Sequence, residues 1–164
     1  MKKLNVKKGF SLIELLVVIA IIGVLSAVGI TAYTGYTASA KEQAARTQFS
    51  QTVSMINAEM AKCALGSGNF AWPAGATKDS CSDGVDAATD TNIASYLTAT
   101  NGLGYKNPYA QDEAAATYAK AVADATTDPD SDGRITIFCA DGGDCTVKQD
   151  VGDDVLAQTI ASAS

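Results

Sequence analysis

At 164 residues the chain is long enough for one modest domain. Its formal charge is −6, but Lys2, Lys3, Lys7 and Lys8 supply four of its 12 cations, leaving eight against 18 acids beyond them, a net −10. Such an acidic body repels phosphate, which excludes nucleic-acid binding by bulk charge. The absence of histidine removes the commonest general base and leaves no Ser-His or Cys-His pair.

The basic start runs into Lys7-Lys-Gly-Phe-Ser-Leu-Ile-Glu14, and from Leu15 to Ile30 there is no charge. With Phe10 to Ile13 this run approaches the roughly 20 residues that span a bilayer. The leading lysines place the N-terminus on the cytoplasmic side and the body of the chain across the membrane. Glu14 is the anomaly, because an ionisable group inside a spanning segment costs roughly 2.5 kcal/mol or more and so calls for a function. An ordinary secretory signal cleaved after Ala27 or Ala32 would leave Glu14 without one. Gly9 has no side chain and lets a protease approach the backbone closely on the basic side.

Past the apolar run the helical pattern persists. Apolar residues fall at Phe49, Val53, Ile56, Met60 and Cys63, spaced four, three, four and three apart, an amphipathic stripe. Lys41, Glu42, Arg46, Gln51 and Glu59 read as lying on other faces. No proline interrupts residues 10–72, and Gly66-Ser-Gly-Asn69 supplies a stop. The expected helix runs from Phe10 to about Leu65, on the order of 80 Å at 1.5 Å per residue. Gly23, Gly29 and Gly35 punctuate its first part, either for close helix approach or for local unwinding.

Beyond Gly66 the texture turns to small polar residues. Trp72 is expected to pack on the domain from a loop pinned by a Cys63–Cys81 bridge. Asn92 to Thr100 reads as a short helix or an irregular segment, Gly102 to Tyr109 as an aromatic turn, and alanine-rich Gln111 to Ala125 as helical. Arg134 to Phe138 has strand composition and can pair with Thr146 to Val151 across Asp141-Gly-Gly-Asp144. The tail from Asp153 is a last strand or a short helix. The four cysteines, none in C-x-x-C spacing, read as disulfides in an exported domain. Three pairings are open; the sequential one, Cys63–Cys81 and Cys139–Cys145, closes short local loops and is expected. Asp128-Pro-Asp130-Ser-Asp132-Gly133-Arg-Ile135 matches the first half of a calcium loop. Its twelfth position is Cys139, so the closing glutamate is missing, and an acidic turn favoured by Asp and Gly is the competing reading.

Gly9, Phe10, Ser11, Leu12, Ile13 and Glu14 resemble, position by position, the class III signal of type IV prepilins and pseudopilins. The Gly102–Tyr109 segment is also similar to a Pro-Tyr element of major pseudopilins and some type IV pilins. Where many type IV pilins carry a proline, near Thr31, this chain has none. The resemblance implies cleavage between Gly9 and Phe10 by a prepilin peptidase, N-methylation of Phe10 by the same kind of enzyme, and filament assembly through Glu14. Glu14 would pair with the Phe10 amine of a neighbouring subunit. The expected organisation is a leader over 1–9, a membrane and filament-core helix over 10–30, its amphipathic continuation over 31–65 and a head over 66–164. The expected fold is α+β: a long N-terminal helix packed on a small, antiparallel, disulfide-stapled sheet domain. The implied role is a non-enzymatic structural subunit of a type IV pilus, with a type II secretion pseudopilin and a minor adhesive or DNA-uptake pilin as alternatives. Its partners would be copies of itself, the peptidase and the inner-membrane assembly machinery. It would move from the bacterial inner membrane to the cell surface, or to the periplasm if a pseudopilin. No cofactor is expected unless Asp128, Asp130 and Asp132 hold calcium, as the C-terminal loop of major pseudopilins does.

Overall fold

The structure, a computed structural model, describes residues 9–66, 68–70, 81, 87–99, 102–112, 118–141 and 143–161. Contacts divide the chain into two units, Met1–Ser39 and Ala40–Ser164. Helix α1, Leu12–Ala64, runs through the division, so each unit holds one part of it.

Within the first unit the described residues are helical from Leu12 and exposed up to Tyr36. An 18-residue window of α1 reaches a mean hydropathy of 2.7 with none of it buried, and it is long and apolar enough to cross a membrane. Aliphatic residues point in every direction, as expected of a helix whose surroundings are lipid or other helices rather than water. The leader expected over residues 1–9 lies outside the described residues up to Lys8.

In the second unit the expected stripe of α1 is in place. Ile56 and Met60 are buried, and Phe49, Val53 and Cys63 pack partly buried against the same cluster. Ala45 and Thr52 extend the stripe. Glu59 corrects the sequence expectation: it is buried like the stripe residues Ile56 and Met60 rather than set on another face, and its carboxylate pairs with Lys62 one turn on. The helix stops where Gly66 adopts φ +84° and its N–H bonds the Cys63 carbonyl at 2.9 Å.

Helix α2, Ala87–Thr98, covers the core with Ile93 and Leu97, starting earlier than the expected Asn92. Among the described residues the sheet has four strands in the order β1 (Ala119–Ala121), β2 (Ile135–Cys139), β3 (Cys145–Asp150) and β4 (Val155–Ile160). Strands β2, β3 and β4 pair antiparallel, with Ile137 opposite Val147 and Lys148 opposite Ala157. Strand β1 pairs parallel to β2, with Ala119 opposite Ile135, so the sheet is mixed rather than wholly antiparallel. Residues 119–121 also correct the helical expectation for Gln111 to Ala125; the pairing with β2 overrides the helix preference of alanine. Residues 113–117 of that stretch, and the Trp72 loop, lie outside the described residues.

Both disulfides follow the sequential pairing. Cys139–Cys145 joins two directly opposed residues at the end of the β2–β3 hairpin, and Cys63–Cys81 ties the end of α1 to the segment that follows. Along β2 and β3, Ile135, Ile137, Val147 and the Cys139–Cys145 bridge face the helices and form the core with Ile56, Ile93, Leu97 and Tyr118.

Candidate functional site

The candidate site at the N-terminus is built from very few residues. Gly9 and Phe10 are exposed and precede the helix, and Phe10 is 92% exposed. A Cβ built on Gly9 would meet nothing within 4 Å, so the fold itself does not demand glycine there. The same holds for Gly23, Gly29 and Gly35. Among the described residues no packing requires their small size.

Ser11 precedes the first helical residue, and its backbone N–H donates to Glu14 Oε2 at 2.8 Å. That is the backbone half of a capping box, in which a residue three positions into the helix satisfies a donor that the helix leaves orphaned. A carboxylate in the first turn also complements the positive end of the helix. Glu14 is thus held at the helix start, one turn from Phe10. The arrangement presents a peptide bond at Gly9–Phe10 in the open and an anchored carboxylate just inside the helix.

The aspartates of the second unit are placed differently. Asp128 Oδ1 accepts from Lys148 Nζ at 2.7 Å, and Asp130 Oδ1 from Arg134 at 2.6 Å. The Arg134 hydrogen bond holds the Asp130 carboxyl below its usual range. Asp132 contributes its backbone carbonyl, which accepts from Asn107 Nδ2 at 3.0 Å. Among the described residues no group of three or more His, Cys, Asp or Glu side chains converges as metal ligands would. Two of the three carboxylates in the calcium expectation, those of Asp128 and Asp130, face cations of the protein itself.

What the Asp-Pro-Asp-Ser-Asp-Gly segment does is turn the chain. Parallel strands need a crossover of a dozen or more residues, and residues 122–134 carry β1 back to the start of β2. Gly133, φ +80°, ends that crossover; its N–H bonds the Asp150 carbonyl at 3.0 Å. A Cβ at Gly133 would lie 2.2 Å from Asn107 Oδ1 and 2.7 Å from the Tyr109 ring. Asn107 is buried, and its Oδ1 accepts the Tyr109 N–H at 2.9 Å. The aromatic turn Gly102–Tyr109 is thereby docked on the acidic turn.

A polar spine, not expected from sequence, links these parts to α1. Tyr118 donates to Gln48 Oε1 at 2.6 Å and accepts from Gln149 Nε2 at 3.4 Å, and Gln149 also donates to the Gly133 carbonyl at 3.1 Å. Gln48 bonds the Lys106 carbonyl, and Tyr105 donates to Gln51 at 2.6 Å. Burial pushes the Tyr118 phenol well above its ordinary range, and burial raises Tyr105 as well. The only sequence signal was polar residues, Gln48 and Gln149, one at the edge of an apolar stripe and one within a strand.

Residues 4–30 match the family described as the prokaryotic N-terminal methylation motif, the class III signal of type IV pilins and pseudopilins. No curated protein and no solved structure matches the chain. The motif implies processing by a prepilin peptidase, and with the apolar helix it fits a membrane-anchored precursor.

Proposed function

We propose that this chain is a structural subunit of a type IV pilus, cleaved between Gly9 and Phe10, methylated on the new Phe10 amine and polymerised through its N-terminal helix. The observation that carries the reading is the methylation motif over residues 4–30 leading into a helix whose residues from Leu12 to Tyr36 are all exposed. Apolar surface on that scale is stable only against lipid or other helices. Polymerisation exchanges the first for the second. The partners are then copies of the chain, the prepilin peptidase and the inner-membrane assembly machinery, and the role is structural rather than catalytic.

In the filament the Glu14 carboxylate answers the Phe10 amine of a neighbouring subunit. The pair forms in low dielectric, where one charge without its partner is expensive, and it sets the axial register. Two disulfides, one stapling a hairpin, suit a head exposed outside the cell. A second reading, the periplasmic pseudopilin of a type II secretion system, shares the same N-terminal motif. No separate observation favours an adhesive or DNA-uptake subunit.

Glu14→Ala separates anchoring from assembly. The substituted subunit should insert in the membrane and fold its head as before, and fail to enter filaments. Normal incorporation of Glu14→Ala would remove the charge pair from the account.

A further inference from the structure

The motif says how the subunit is processed but not where the bilayer sits on its helix before assembly. We propose that the hydrocarbon layer is seated between Glu14 and Tyr33, with Glu14 at the cytoplasmic headgroup boundary capping its own helix and Tyr33 and Tyr36 anchoring the opposite boundary. This placement rests on the membrane-anchored reading above.

The inner limit comes from the helix start. Glu14 Oε2 accepts the Ser11 N–H at 2.8 Å, so the carboxylate has work at the polar end of the helix. A helix N-terminus leaves donors that hydrocarbon cannot satisfy, and the headgroup region can. Lys2, Lys3, Lys7 and Lys8 lie just before it and complement the anionic cytoplasmic leaflet.

The outer limit comes from the first aromatic hydroxyls. Tyr33 and Tyr36 are three residues apart, on neighbouring positions of the helix surface, and are 70% and 76% exposed. An amphipathic phenol ring is the side chain that collects at membrane–water interfaces. Between Glu14 and Tyr33 no residue is charged, and the Thr31 hydroxyl turns back to the Val28 carbonyl at 3.0 Å. Past Tyr36 come Thr37 and Ser39, then the charges of Lys41 and Glu42.

The interval between the two limits matches the bilayer. Nineteen helical steps span about 28 Å at 1.5 Å each, against a hydrocarbon layer of about 30 Å. A layer starting at Phe10 would instead draw Glu14 about 6 Å inside and end near Gly29, leaving Ile30 in water. The two placements differ by one helical turn.

All four native cysteines are closed in disulfides, so a single introduced cysteine is the only free thiol. Ile13→Cys, Val17→Cys, Ile30→Cys and Thr37→Cys would each be expressed in full-length chain in cells lacking the assembly motor. A membrane-impermeant maleimide is applied to inverted vesicles for the first two and to spheroplasts for the last two. The expected pattern is labelling at 13 and 37 and protection at 17 and 30. Protection at 13 with labelling at 30 would overturn the placement while keeping the anchor. Recovery of the chain outside the membrane fraction would overturn the anchor and the placement together.

Discussion

Gly133→Ala is the sharpest test of what the acidic turn is for. Gly133 sits at φ +80°, where a side chain costs roughly 1–2 kcal/mol. The new methyl would lie 2.2 Å from Asn107 Oδ1, so Asn107 must leave. With it go the bond to the Asp132 carbonyl and the bond from the Tyr109 N–H, at about 1 kcal/mol each. The total loss is about 3–4 kcal/mol, on the order of 10 °C in melting temperature for a head of this size. Urea unfolding of the detergent-solubilised protein, followed by tyrosine and tryptophan fluorescence, measures it. Because the clash and the lost bonds share Asn107, the double variant with Asn107→Ala should cost at least about 1 kcal/mol less than the sum of the single variants. A Gly133→Ala loss below about 1 kcal/mol, or strict additivity with Asn107→Ala, would refute the docking of the two turns.

Tyr118→Phe should cost about 1–3 kcal/mol at neutral pH, because it takes a partner from both Gln48 and the buried Gln149. Burial raises the folded-state pKa of Tyr118 above the unfolded value of about 10, so the native state holds this proton more tightly. The stability it contributes is intact below about pH 10 and is lost as pH rises beyond it, a loss that Tyr118→Phe should abolish in alkaline melts. Since Asp128 and Asp130 face Lys148 and Arg134, melting temperatures in millimolar calcium and in chelator should coincide. A rise in calcium that Asp130→Ala removes would show that the carboxylates exchange protein cations for the metal.

The N-terminal motif, the stripe from Phe49 to Cys63 and the β2–β3 hairpin were legible because each is local: a spacing of residue types decides it. Strand β1 was not, since Ala119-Lys-Ala121 is extended only because β2 lies alongside it. Glu59 misled for a related reason. Charge alone suggests a solvent face, but Lys62 pairs with it from three residues away and permits burial. The Asp128–Asp132 pattern fits both a cation loop and a turn. The choice between them depends on Lys148 and Arg134, contributed by the strand pairing and the turn itself. Gln48, Tyr118 and Gln149 come together from three distant parts of the chain, so no spacing announces them.

Intact-mass spectrometry of the subunit from sheared surface filaments tests the central claim most directly. The account predicts a chain that begins at Phe10, carries one extra methyl group and retains both disulfides. A subunit that keeps Met1, begins near Val28 after cleavage at Ala27, or is absent from such filaments would contradict it.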